Sequence, residues 1–291
     1  MKKILIFGAS GQLARALEDL LPDAIFLSRF EADLSHPHKI SEILEQYAPS
    51  AVINAAAYTQ VDNAEKEEIL ANRINAESPA AMAIYCAEKS IPFVHFSTDY
   101  VFPGDGENAW NEEDEPAPLN AYGRSKLAGE EAISHIGGKY LIFRTSWLYD
   151  SAGKNFCNTI LRLSHEREEL RIIDDQFGSP TYVPHLAKAA LQALQNAGEL
   201  PQFPSGIYHL CSGGVASWYG FACEIIGRAG QFDPQIKTRN IVPILASEYP
   251  LPAKRPHNSR LDCSKAEAIL GVKMPLWQDG LQQCLDLKYS V

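Results

Sequence analysis

Tyr122 and Lys126 stand four residues apart in Tyr122-Gly123-Arg124-Ser125-Lys126. On a helix that spacing puts both side chains on one face. A phenol ordinarily titrates near ~10. A neighbouring ammonium favours phenolate and lowers that value, so the phenol can exchange protons nearer neutral pH. Upstream, Ser97-Thr98-Asp99-Tyr100-Val101-Phe102 supplies a hydroxyl from Thr98 that can hold the same substrate oxygen. Together these groups suit proton transfer in alcohol–carbonyl chemistry. Taken alone, a Tyr-x-x-x-Lys match more often marks an ordinary surface helix.

A second group of residues suits an anionic cofactor. Gly8-Ala9-Ser10-Gly11-Gln12-Leu13-Ala14 follows an apolar run and opens a helix-like stretch. Glycine allows the tight turn there and lets a pyrophosphate reach the helix N–H groups, which the helix dipole also favours. The pattern is GxxGxxA, with Ala14 at the third small position. The end of the next strand selects between cofactors: an acid holds a ribose 2′-hydroxyl, a base a 2′-phosphate. Ser28-Arg29 suits the phosphate, Glu31 argues the other way, and Asp33-Leu34 could contact the adenine. Asn54-Ala55-Ala56-Ala57 offers small residues at a strand end, either for a ligand close to the backbone or for tight helix–sheet packing.

These residues need a scaffold. Ile4–Phe7, Ala24–Leu27, Ala51–Ile53, Phe93–Phe96 and Leu141–Phe143 are nearly all apolar rather than alternating, as strands covered on both faces should be. Between them lie helix-like stretches Gln12–Leu21, Ile40–Tyr47, Ser78–Lys89 and Tyr122–Ser134. Ser78-Pro79 reads as a helix start, with Ser as cap and Pro in the first turn. The alternation predicts an α/β fold, a Rossmann-type doubly wound parallel sheet with right-handed crossovers. After residue 147 helical stretches near Asn155–Arg167, His185–Ala197, Ser217–Ala229 and Gln278–Lys288 are separated by Pro-rich connections. We expect residues 1–147 to form the dinucleotide domain, with segments near 170–198 packing back on it. Residues 148–291 then form mainly a smaller α/β substrate-binding lobe.

Composition excludes other classes. The 291 residues carry 26 Lys plus Arg against 36 Asp plus Glu, a net charge of −10 without a basic run. That disfavours nucleic acid, whose binding begins with phosphate neutralisation, but a few local cations can still hold a small anion. The six cysteines show neither a CxxC pair nor zinc spacing and read as reduced, small apolar side chains. No stretch is long and apolar enough for a membrane span, and a cytoplasmic enzyme is expected.

The chain resembles the extended short-chain dehydrogenase/reductases and, within them, the dTDP-4-dehydrorhamnose reductase family. The resemblance rests on GASGQLA at 8–14, NAAAYTQVDNAE at 54–65, STDYVFPG at 97–104 and PLNAYGRSKLAGE at 118–130. It continues through FRTSWLY at 143–149, DQFGSPT at 175–181 and RPHNSRLD at 255–262. It implies reduction of the C4 carbonyl of dTDP-4-dehydro-L-rhamnose to dTDP-L-rhamnose by NADPH, with NADH as the second choice. It casts Tyr122 as the acid, Lys126 as the ligand of the nicotinamide ribose, Thr98 as the sugar-oxygen contact, and Asp99 and Trp147 as the sugar pocket. Gly11, Gln12, Leu13, Asp33, Leu34, Ala57, Tyr58 and Thr59 match cofactor-contacting positions, beside Gly8, Ala55 and Ala56 of the turn and strand end. Some members carry an acid early in the first helix, linked to a magnesium-assisted dimer. Ala16 stands there in this chain, so no metal site is assigned, and a homodimer is left open.

The diphosphate of such a substrate needs positive charge in an acidic protein. Arg255 and Arg260 flank Pro256-His257-Asn258-Ser259. Arg255 is the expected phosphate contact because Pro256 fixes the backbone beside it; the alternative is a surface loop whose arginines pair with carboxylates. Two rival functions share these motifs. One is the binding-protein subunit of methionine adenosyltransferase, the other a nucleotide-sugar epimerase or dehydratase that retains its NAD.

Overall fold

A computed structural model describes residues 3–289; Met1 and Lys2, the start of the expected dinucleotide domain, and residues 290–291 at the end of the second lobe lie outside the described residues. Six strands form the central sheet: β1 (Ile4–Phe7), β2 (Ile25–Leu27), β3 (Ala51–Asn54), β4 (Phe93–Thr98), β5 (Tyr140–Thr145) and β6 (Gly206–His209). Their order is β6-β5-β4-β3-β1-β2, and every pairing is parallel. The first connection runs from β1 outward to β2; the chain then crosses to the other side of β1 with β3. The crevice between the carboxyl ends of β1 and β3 is therefore the switch point where such sheets bind ligands.

The helices are α1 (Gln12–Leu20), α2 (Ile40–Tyr47), α3 (Ser78–Glu88), α4 (Ala121–Ile136), α5 (Phe156–Glu166), α6 (Val183–Glu199), α7 (Trp218–Ala229) and α8 (Trp277–Tyr289). Period-two alternation assigns each strand residue to one face of the sheet. Ile6, Ile53, Val94 and Phe143 pack with Leu13 and Leu17 of α1 and Leu186 of α6. Leu5, Phe7, Val52, Phe93 and Ile142 pack with Leu44 of α2, Met82 of α3 and Ile133 of α4. Ala16, where an acid would stand in some relatives of the resembled family, is buried in the first of these clusters. A third core, built from residues after 147, joins Tyr149, Ile160, Phe221, Ile225, Trp277 and Leu281.

Two features differ from the sequence reading. The sixth strand, β6, comes from Gly206–His209, a run of ordinary composition just after a Pro-rich connection. Ser78 does not cap a helix. The chain is already helical over Glu68–Asn72 and continues through a π turn at Arg73–Glu77 into α3. The Ser78 hydroxyl instead donates to the Leu34 carbonyl at 2.7 Å. A proline inside a helix clashes with the carbonyl four residues back, and the wider π turn before Pro79 relieves that conflict.

One buried ion pair ties α4 to the sheet. Arg144 on β5 donates from Nε to both oxygens of Glu130 (3.0 and 3.1 Å) and from Nη2 to Oε2 (2.6 Å), with both side chains no more than 2% exposed. The guanidinium also lies 4.9 Å from the Phe102 ring centroid. Removing one partner leaves the other charge buried and unpaired. We therefore expect Glu130→Ala to lose about 3–5 kcal/mol of stability, read by urea unfolding; a loss below ~1 kcal/mol, the scale of an exposed pair, would contradict this reading of the pair.

Candidate active site

The site starts at the turn after β1. Gly8 and Ala9 both donate backbone N–H groups to the Leu27 carbonyl at 3.0 Å, and Gly11 N–H donates to Gly8 O at 2.8 Å. Gly8 has φ +96°, and a Cβ on it would lie 2.9 Å from the backbone of Ala56. Only glycine meets both constraints. The contact also settles why small residues end β3: Ala56 packs against the turn, while Ala55–Ala57 line the cleft beside it. The α1 N-terminus has no side-chain cap, which leaves its first N–H groups facing the cleft.

The cleft encloses about 700 Å³. Of the residues read from sequence, its walls hold Gly8, Gly11, Gln12, Leu13, Arg29, Asp33 and Leu34, then Ala55 through Thr59, Tyr122 and Lys126. Ser28 is not among them. Its backbone N–H donates to Glu31 at 2.7 Å, and that contact with the Ser28 hydroxyl holds the Glu31 carboxyl below its usual range. Arg29 lies 3.7 Å from Asp33. Sequence reasoning missed Arg15, Lys154, Glu67 and His95. Arg15 and Lys154 add positive charge to the cleft of an acidic protein. Arg15 lies on α1, and the loop that carries Lys154 is latched by Gln12, whose Oε1 accepts from Asn155 Nδ2 at 2.9 Å. Glu67 accepts a hydrogen bond from the Tyr58 hydroxyl.

At the far end of the cleft, α4 presses directly on the turn after β4. A Cβ at Gly123 would lie 2.2 Å from the Tyr100 carbonyl, so glycine there lets the helix approach. Asn120 caps α4, accepting from Gly123 N–H at 2.8 Å, and its Nδ2 donates to Lys254 O at 2.8 Å. This approach brings Tyr122 to Thr98. Burial pushes the Tyr122 phenol up to about 12, the Thr98 hydroxyl pulls it back, and Asp99 raises it further. Thr98 donates to Asp99 Oδ1 at 3.0 Å and accepts from Tyr100 N–H at 3.2 Å. Burial raises the Asp99 carboxyl to about 6 against the Ser259 and Thr98 hydroxyls.

Lys126 differs from the sequence reading. It is 1% exposed, and its hydrogen-bond partners lie on β4. Nζ donates to the Phe96 carbonyl at 2.6 Å and sits 3.0 Å from His95 Nε2. Burial lowers its value to about 8, with Glu130 raising it. The signal for His95 was visible: one polar residue in a fully buried strand, Phe93-Val94-His95-Phe96.

The other expected substrate-side residues follow β5 in the chain. Trp147 has φ +50°, rare for a bulky residue and often a mark of function. Its ring stacks on Trp218 at 3.5 Å and 6°. Gly178 makes room for it: a Cβ there would lie 2.7 Å from the indole. Arg255 is drawn to Asp62, with Nη1 on Oδ1 at 3.0 Å and Nη2 on Oδ2 at 2.8 Å, and to Ala253 O at 2.8 Å. It does not line the cleft. Arg260 donates to Asn258 and covers the Phe177 ring at 4.8 Å.

Comparison with known proteins gives this geometry a family. The model of the RmlD substrate binding domain family matches residues 1–290. The chain belongs to this family. It is 42% identical to a dTDP-4-dehydrorhamnose reductase of Burkholderia thailandensis over 97% of this chain and 98% of that one. A Shigella flexneri protein of the same name is 40% identical, covering 97% of each. Among solved structures, a dTDP-4-dehydrorhamnose reductase of Bacillus anthracis in complex with NADP aligns with a TM-score of 0.89 and 36% identity, over 97% of this chain and 98% of that one. The parallel sheet and doubly wound helices agree with the architecture expected from sequence. No helix among the described residues is long and apolar enough to cross a membrane.

The Gly8 contact yields a direct test. Gly8→Ala is expected to destabilise the protein by at least about 1–2 kcal/mol, from the positive φ alone, and to weaken dinucleotide binding at least tenfold by pushing β3 from the turn. Wild-type unfolding and wild-type affinity in the variant would show that the turn tolerates a Cβ.

Proposed function

We infer that this chain reduces the C4 carbonyl of dTDP-4-dehydro-L-rhamnose to dTDP-L-rhamnose with NADPH, the last step of dTDP-L-rhamnose synthesis. The carrying observation is one cleft that joins the uncapped helix and glycine turn to Tyr122 and Lys126, with Thr98 beside Tyr122, in a chain that the family model matches over residues 1–290. The cradle fits a dinucleotide: Gly8 and Gly11 keep the turn open to a pyrophosphate, and α1 offers unpaired N–H groups. Bound there, a reduced nicotinamide supplies a hydride.

The chain's own residues supply the rest. Gly8, Gly11, Gln12 and Leu13 would hold the pyrophosphate. Asp33 and Leu34 would border the adenine, and Ala55 to Thr59 the inner wall. Arg29, with Ser28 beside it, would meet a 2′-phosphate, and Lys126 the nicotinamide ribose. Tyr122 keeps its proton through the physiological range, since burial holds the phenol at about 12, and so serves as acid rather than base. A carbonyl oxygen beside Tyr122 Oη would accept the phenol's hydrogen bond, and that of Thr98 once its hydroxyl turns from Asp99 Oδ1; the Tyr122 proton moves to that oxygen as it becomes alkoxide. Asp99 and the flat Trp147 ring would bound the sugar. Arg255 keeps Nε–H and one Nη2–H beyond those given to Asp62 and Ala253, and these would serve the diphosphate.

Two variants test the assignment. In an assay that generates the keto sugar from dTDP-glucose and follows nicotinamide absorbance, Tyr122→Phe should lose about 10²–10⁴ in turnover, with folding unchanged. Turnover near that of the wild type would remove Tyr122 from the acid role. Arg29→Ala should raise KM for NADPH far more than for NADH, by about one to two decades if the contact is worth about 1.5–3 kcal/mol. Equal effects on the two cofactors would place Arg29 away from the 2′-phosphate.

A further inference from the structure

From the cleft wall at Asn54 and Lys126 a buried polar chain runs through His95, and the reaction so far uses only its lysine. Asn54 Oδ1 accepts the Ala56 N–H at 3.1 Å, and Asn54 Nδ2 is 3.1 Å from His95 Nδ1. His95 Nε2 is 3.0 Å from Lys126 Nζ, which is 2.6 Å from the Phe96 carbonyl. His95 is wholly buried, Asn54 and Lys126 each 1% exposed.

The donors and acceptors fix the order of this chain. The Ala56 N–H can only donate, so Asn54 must present Oδ1 to it and Nδ2 to the imidazole. An amide NH₂ can only donate, so His95 Nδ1 must accept. A neutral imidazole accepting at Nδ1 carries its proton on Nε2. That Nε2–H points at Lys126 Nζ. An ammonium cannot accept it; an amine can, while still donating to Phe96 O. We propose that His95 is a positioning residue that, oriented by Asn54, aims Nε2–H at Lys126 and favours the lysine's neutral amine over its ammonium in the resting enzyme.

The surroundings agree. Burial lowers Lys126 to about 8 and keeps His95 neutral, well below its ordinary value. The titratable or charged groups packed round Lys126 are His95 from β4, Tyr122 and Glu130 from α4, and Arg144 from β5, with Asp99 beyond Tyr122. Tyr122 is neutral. The one nearby carboxylate, Glu130, is forked onto Arg144 and is not spent on the lysine. The ammonium therefore has one carbonyl as a direct partner, and the Arg144-bound Glu130 favours it only through space. An anionic dinucleotide entering the cleft would favour the charged form and raise the lysine's value. Between the resting and raised values, binding would draw in a proton. The resting enzyme thus keeps its transferable proton on Tyr122, and Lys126 gains its charge on loading.

The proposal concerns Lys126 in the role given to it above, but its first test needs no catalysis. Nitrogen NMR of ¹⁵N-histidine-labelled protein without ligand reads the tautomer of His95, identified among the eight histidines by the signal absent from His95→Gln. The proposal expects protonated Nε2 and bare Nδ1. Asn54→Asp is nearly isosteric: its carboxylate still accepts the Ala56 N–H but must accept from His95 as well, which should move the proton to Nδ1 and leave Nε2 to accept from an ammonium. Calorimetry of NADPH binding, in two buffers of different ionisation enthalpy at a pH above 8, should show uptake of up to one proton by the wild type. That uptake should be lost in Asn54→Asp and in Lys126→Met. A wild-type Nδ1–H tautomer, or NADPH binding without proton uptake, would overturn the proposal. Wild-type tautomer and uptake in a protein that reduces no dTDP-sugar would sustain it while refuting the reductase reading.

Discussion

A lysine side chain kept wholly out of water is the constraint around which the site is arranged. Burying an ammonium without a carboxylate partner is costly, and no free carboxylate stands beside Lys126. Its Nζ lies instead against a backbone carbonyl at 2.6 Å and an imidazole. The Phe96 carbonyl sits near the end of β4, so the lysine is anchored to the strand that also carries Thr98. Glu130, one turn further along α4, is held by Arg144 of β5. Two polar attachments, one to β4 and one to β5, therefore fix the rotation of α4 about its axis. Tyr122 lies on the lysine's face of that helix and faces the cleft as a result.

The close approaches follow from this arrangement. Gly123 lets α4 sit on the Tyr100 carbonyl, and Gly129 does the same against Asn75, where a Cβ would lie 2.2 Å from the carbonyl oxygen. Asn75 is itself held, accepting the Tyr58 N–H at 2.8 Å and donating to Ser125 Oγ at 2.9 Å. The π turn that carries Asn75 thus links the cleft wall at Tyr58 to the helix bearing Tyr122 and Lys126. At the other end, Gly8 lets β3 approach the turn. Glycine is used at these places because backbone meets backbone.

Much of this was legible in the sequence. Helix α2 and strand β1 fall on the residues expected, because unbroken apolar runs and a clear helical period leave little choice. The glycine turn and the Tyr-x-x-x-Lys face were readable because local geometry alone dictates them. What escaped depended on contacts distant in sequence. Ser78 carries every local mark of a cap, yet the residues before it are helical and its hydroxyl serves Leu34. β6 has no run long enough to announce itself, and it forms because β5 offers an edge. Arg255 meets Asp62 across 193 positions, a pairing no local pattern contains. The partners of Lys126 were hidden for the same reason: spacing places it on the face of Tyr122, but only the fold brings His95 and the Phe96 carbonyl to its nitrogen.

The most direct measurement of the central claim is transfer of label. NADPH carrying deuterium at the transferred nicotinamide position is incubated with the protein and dTDP-4-dehydro-L-rhamnose, and the sugar product is examined by mass spectrometry and NMR. The account predicts dTDP-L-rhamnose with one deuterium at C4, formed in step with NADPH oxidation. A product without deuterium, or an isomerised sugar formed with no net oxidation of added NADPH, would contradict it.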